Sequence, residues 1–94
     1  MVATTTGRVA GRASGEVVAF KGIPYATAER YRRPVVVDFD PDRPSDRKGV
    51  APVQPDTGDW LEADSGTGED CLNLNVWAPA QPAGNALPVA VYVH

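Results

Sequence analysis

Glu69-Asp70-Cys71-Leu72-Asn73-Leu74-Asn75-Val76-Trp77-Ala78-Pro79, followed after a short break by Leu87-Pro88-Val89-Ala90-Val91-Tyr92-Val93-His94, is the stretch on which the fold turns. Residues 71–77 alternate strictly, which predicts a strand. Leu72, Leu74 and Val76 form an apolar face; Cys71, Asn73, Asn75 and Trp77 form a mixed one. Residues 89–93 are apolar on both faces, the pattern of a strand in the middle of a sheet with layers on both sides. Such a strand needs cover twice, yet no segment of the chain reads as an amphipathic helix. The pattern predicts an incomplete domain whose covering helices lie outside these 94 residues.

Upstream, the sequence predicts a hairpin. Residues 7–12 form one short strand and residues 16–21, β-branched and aromatic, the next, with Ala13-Ser14-Gly15 as the turn. Gly22-Ile23-Pro24-Tyr25-Ala26 then leaves the sheet, because Pro24 removes a backbone donor. The segment 27–34 is charged and ends at Pro34; Val35-Val36-Val37 is a strand fragment. From 38 to 70 neither periodicity survives: Pro41, Pro44, Pro52 and Pro55 stand among many Asp, Ser and Gly residues. So long a patternless stretch is unusual inside a compact domain. Trp60 and Leu61 read as anchors docking this loop on another part of the fold.

Composition narrows the function classes. The net charge is −3 and the pI about 4.9, which argues against a nucleic-acid partner. Arg30, Arg32, Arg33, Arg43, Arg47 and Lys48 form a local basic cluster, but Asp38, Asp40, Asp42 and Asp46 dilute it into a solvated surface. One cysteine forms no internal disulfide, and one histidine with it makes no metal site. The N-terminus lacks the apolar core of a signal peptide, and no run is long enough to span a membrane. The expectation is a cytoplasmic protein with no membrane association and no cofactor.

Four motifs in order resemble the type-B carboxylesterases, the cholinesterase-like family. Gly7-Arg8-Val9-Ala10-Gly11 and Phe20-Lys21-Gly22-Ile23-Pro24-Tyr25-Ala26 resemble its opening hairpin. Arg30-Tyr31-Arg32-Arg33-Pro34 is similar to its Arg-Phe-Arg-x-Pro segment. Residues 69–79 look like its Glu-Asp-Cys-Leu signature, and 87–94 like the strand that runs into its His-Gly-Gly-Gly loop. Three departures stand out. Only Thr27-Ala28-Glu29 separate Ala26 from Arg30, where the family usually has more residues; Asn73 replaces an aromatic or threonine; and Ala51-Pro52-Val53-Gln54-Pro55 lacks the cysteine that many members pair with the one matching Cys71.

The resemblance implies an α/β-hydrolase fold, with residues 1–94 as the strand-rich N-terminal part of a single domain, stopping at the oxyanion-hole loop. It implies hydrolysis of a small-molecule carboxylic ester by a Ser-His-acid triad. The triad serine sits in a Gly-x-Ser-x-Gly turn, and none occurs here: Ser14, Ser45 and Ser65 lack that context. No triad member is therefore expected in this chain, and none of its residues is expected to catalyse alone. His94 aligns with the first residue of the oxyanion loop, not with the general base. The amides that follow it in the family stabilise the oxyanion by about 2.7–4 kcal/mol each. Arg30 and Glu69 match an arginine and a glutamate that pair in the family, a structural fork that ties the arm after the hairpin to the signature strand. Cys71, with no histidine near it in sequence, reads as a structural thiol. Two other readings belong to different classes: a cholinesterase-like domain that has lost catalysis and acts in binding or adhesion, and a free-standing β-rich binding module.

Overall fold

The computed structural model describes residues 2–4, 7–38, 40, 42, 45–55, 66–81, 84 and 86–93. Among these there are seven strands and no helix: β1 (Val2–Thr4), β2 (Gly7–Val9), β3 (Arg12–Ser14), β4 (Val17–Pro24), β5 (Ala26–Thr27), β6 (Val35–Val36) and β7 (Asn73–Pro79). They form a β1–β2 pair, a central antiparallel sheet of order β3-β4-β7, and a β5–β6 pair.

The hairpin differs in detail from the sequence expectation. Ser14 pairs with Val17, so the turn is Gly15-Glu16 and Ala13 and Ser14 belong to the strand. Gly15 has φ 61° while Glu16 stays out of the positive-φ region, which is the pattern of the II′ turn that matches strand twist. The strand expected over 7–12 is divided. Gly7–Val9 pairs backward with β1, which the sequence reading did not anticipate, and Arg12–Ser14 pairs forward with β4.

The chain does not leave the sheet at Gly22. β4 runs on through Pro24, and β7 pairs with it along its whole length. Phe20 lies opposite Val76, but Ile23 lies opposite Leu74, so Lys21 and Gly22 together face Asn75 alone. This is a β-bulge. Its effect follows from strand geometry. Side chains alternate with period two, so residues three apart face opposite ways in a regular strand. The extra residue brings Phe20 and Ile23 to one face, where they form the core with Val9 of β2. Their partners Val76 and Leu74, two apart on an unbroken strand, share that face. Pro24 is tolerated because β3 reaches only as far as Ala19. The amide of the next residue, Tyr25, turns toward β7 and donates to the Leu72 carbonyl at 3.2 Å. The missing donor of Pro24 thus falls on the side where the sheet has no neighbour.

β7 starts two residues later than the alternation suggests. The amides of Cys71 and Asn73 donate to the carbonyls of Glu69 and Cys71, two residues back, at 2.9 Å each. These local turns occupy donors that a ladder would use. Within the patternless stretch the described residues include one isolated bridge, Ala51 to Thr67. The segment 89–93 departs most from expectation: it forms no strand and pairs with nothing among the described residues, and Val89, Val91, Tyr92 and Val93 are all more than 80% exposed. A strand is stabilised by its neighbours, and none of the described strands supplies one here.

Among the described residues the core is small: the buried apolar ones are Val9, Phe20, Ile23 and Ala26. Both faces of the central sheet keep apolar side chains in water. On the Phe20 face Leu74 and Val76 are 40% and 42% exposed; on the other, Val17 and Trp77 are 41% and 56% exposed.

Gly22 has φ 65°, and a Cβ there would collide with the Arg47 carbonyl oxygen. Gly22→Ala is therefore expected to weaken the β4–β7 pairing by about 2 kcal/mol or more, combining left-handed strain with the clash. Gly15 has a similar φ but open space around it, so Gly15→Ala should cost only about 1 kcal/mol. Amide hydrogen exchange across β4 and β7 measures both; equal losses would show that the Arg47 carbonyl is not seated against Gly22.

Candidate functional site

Two asparagines on the mixed face of β7 organise the best-built polar site. The Gly22 amide in the bulge donates to Asn75 Oδ1 at 2.9 Å across 53 positions of sequence. A bulge leaves a backbone group out of the ladder, and Asn75 satisfies it. Two residues earlier, Asn73 Nδ2 donates to the Val50 carbonyl at 2.9 Å. The Asn73 side chain lies so close to Gly49 that a Cβ on Gly49 would meet it at about 2.5 Å. The Lys21 amide donates to the Ser45 carbonyl at 2.9 Å. The bulge and Asn73 thus hold segment 45–50 against the sheet, while Asn75 satisfies the bulge itself. Sequence reasoning placed both asparagines on the mixed face and noted Asn73 as a departure, but missed the role of each. The signal was available: Asn75 is a polar residue inside a strand of strong alternation.

The structure brings Arg30 and Glu69 together across 39 positions, with Nη1 3.4 Å from Oε1. The contact is single, not a two-pronged fork, and the side chains are 70% and 72% exposed. Water screens a pair so placed, and its contribution is about 0–1 kcal/mol. The stranded-charge penalty of a deeply buried pair does not apply. The Arg30 guanidinium also lies 5.4 Å from the centroid of the Tyr31 ring, within cation–π range. Tyr31 occupies a tight turn closed by the Arg32 amide donating to the Glu29 carbonyl at 2.9 Å. It has φ 61°, the one non-glycine residue at positive φ among those described, and is 94% exposed.

Beneath this turn is an open depression of about 520 Å³. Arg32 and Arg33 line it together with Glu29, Glu69 and Asp70, so its walls carry both signs and select neither an anion nor a cation. No cluster of metal-ligating side chains occurs among the described residues. Cys71 is a free, half-buried thiol. Ser14 lies in β3, and the carbonyl of Ser45 serves the bulge. Ser65, Trp60, Leu61 and His94 lie outside the described residues. Among the residues described, no nucleophile is paired with a base.

The sequence profile of the carboxylesterase family matches residues 1–94. A probable N-octanoylanthranilate hydrolase of Rhodococcus erythropolis is 30% identical over 99 aligned positions, covering 99% of this chain and 22% of that protein. A fumonisin B1 esterase of Sphingopyxis macrogoltabida is 50% identical over 30 residues, which are 32% of this chain and 6% of that protein. The chain therefore spans about a fifth of the first relative's length. No solved structure matches with significance.

Asn75→Leu is expected to cost about 1–3 kcal/mol, because the Gly22 amide loses its acceptor. Asn75→Asp, which keeps an oxygen there, should retain most of the stability. A double-mutant cycle of Arg30→Met and Glu69→Gln should show a coupling below about 1 kcal/mol. Denaturant titration checks both; a coupling of several kcal/mol would mean the pair is buried in solution.

Proposed function

The chain belongs to the carboxylesterase family, and from that premise we propose that it is the opening part of an α/β-hydrolase that cleaves small-molecule carboxylic esters with a serine nucleophile. The observation that carries the reading is the family match over the whole chain. The two relatives, a probable hydrolase and an esterase, support acyl-bond hydrolysis in the protein to which this chain contributes. The apolar side chains exposed on both faces of the central sheet support a domain with layers on either side.

In this reading the chain supplies scaffold, not the nucleophile. The β4–β7 pairing is the platform, and the Arg30–Glu69 contact ties the arm after β5 to the approach to β7. His94 begins the loop whose backbone amides receive the oxyanion. Those amides act by being held in place before charge develops, which is where such donors gain their effect. The serine that attacks the ester carbonyl, and the histidine that takes its proton, come from other parts of the domain.

The 94-residue chain should show no turnover of short p-nitrophenyl esters above a heat-treated control. The whole protein should hydrolyse them and lose at least about 10³-fold in kcat when the serine of its Gly-x-Ser-x-Gly turn becomes alanine, the scale set by removal of a triad member. Hydrolysis by the short chain that survives His94→Ala and replacement of all three serines, or a whole protein without such a serine, would overturn the proposal.

A further inference from the structure

We infer that the connection between β5 and β6 is the chain's preferred point of cleavage by proteases of trypsin specificity, at the Arg32–Arg33 bond. The reaction consumes one water: the peptide C–N bond breaks, Arg32 gains a carboxylate and Arg33 a free amine. A protease needs an accessible basic side chain and a backbone segment that opens into its cleft at little cost, and such segments are exposed loop tips. Residues 28–34 meet both needs. They join two strands of only two residues each, paired at Ala26–Val36 and Thr27–Val35. All seven residues are exposed. The strained Tyr31 at the tip gains backbone freedom when the turn opens, because a left-handed conformation is costly for a side chain of its kind.

The choice of bond follows from elimination among the nine basic residues. Arg8 and Arg12 lie in paired strands, and the residue after Arg8 is the core residue Val9. Lys21 is in the bulge, its amide bonded to Ser45 and the next amide to Asn75. The Arg47 carbonyl is packed on Gly22, and Gly49, which follows the half-buried Lys48, sits against Asn73. Arg43 and Arg33 precede Pro44 and Pro34, whose rings lack the N–H and hinder the leaving side of the bond. Arg30 is engaged by the exposed Glu69 contact and the Tyr31 ring, which at about 0–1 kcal/mol slow cleavage after it a few-fold. Arg32 remains: it is exposed and makes no ion pair among the described residues.

Limited digestion of the 94-residue chain with substoichiometric trypsin, followed by intact-mass analysis, tests this. The first products should be residues 1–32 and 33–94, formed a few-fold faster than any other pair, as expected where local opening controls cleavage. Arg32→Gln should abolish that pair and slow the loss of intact chain severalfold. Arg33→Pro should do the same with Arg32 still present. A first cut at any other bond, simultaneous cleavage at all basic residues, or loss of either variant at the wild-type rate would overturn the inference.

Discussion

The structure depends on a mismatch of spacing between two strands. Phe20 and Ile23 are three residues apart on β4, while their partners Val76 and Leu74 are two apart on β7. Alternation allows both pairs to share a face only if β4 carries one extra residue between them. Lys21-Gly22 opposite Asn75 is that extra residue. Without it, Ile23 would turn to the opposite face and leave the cluster with Phe20 and Val9. With so few residues buried, losing one from the cluster removes much of what holds the hairpin to the rest of the chain.

The bulge creates needs that its neighbours meet. It frees backbone amides, which Asn75 and Ser45 accept. It puts Gly22 in a left-handed conformation with the Arg47 backbone pressed against it. It thereby fixes where segment 45–50 lies, and Asn73 fastens that segment a second time through the Val50 carbonyl. The exposed Arg30–Glu69 contact is a minor addition to this frame. Hydrogen bonds to half-buried backbone groups are costly to lose, whereas a solvated ion pair is largely screened. In the proposed hydrolase the frame is what steadies the approach to the oxyanion loop, and the uncovered apolar faces are where further layers rest.

Local pattern made part of this legible. Alternation in Leu72, Leu74 and Val76 announced β7, and Gly15 marked the hairpin turn, though not which residues flank it. A brief β-branched run marked Val35 and Val36 as a strand, though not their partner β5. Other features were hidden because they depend on distant partners. Pro24 reads as a breaker until it is clear that its missing donor faces an open edge. Asn75 reads as a polar position on a mixed face until the bulge amide appears opposite it. The segment 89–93 has the composition of a buried strand, but composition supplies no partner, and none of the described strands pairs with it. The family was readable because its motifs are short and local; a nucleophile was not, because no Gly-x-Ser-x-Gly turn occurs in these 94 residues.

Cross-strand nuclear Overhauser effects between β4 and β7 test the central claim most directly. The bulge places Phe20 opposite Val76 and Ile23 opposite Leu74, with Lys21 and Gly22 both adjacent to Asn75. An unbroken register, with Lys21 opposite Asn75, Gly22 opposite Leu74 and Ile23 opposite Asn73, would contradict it.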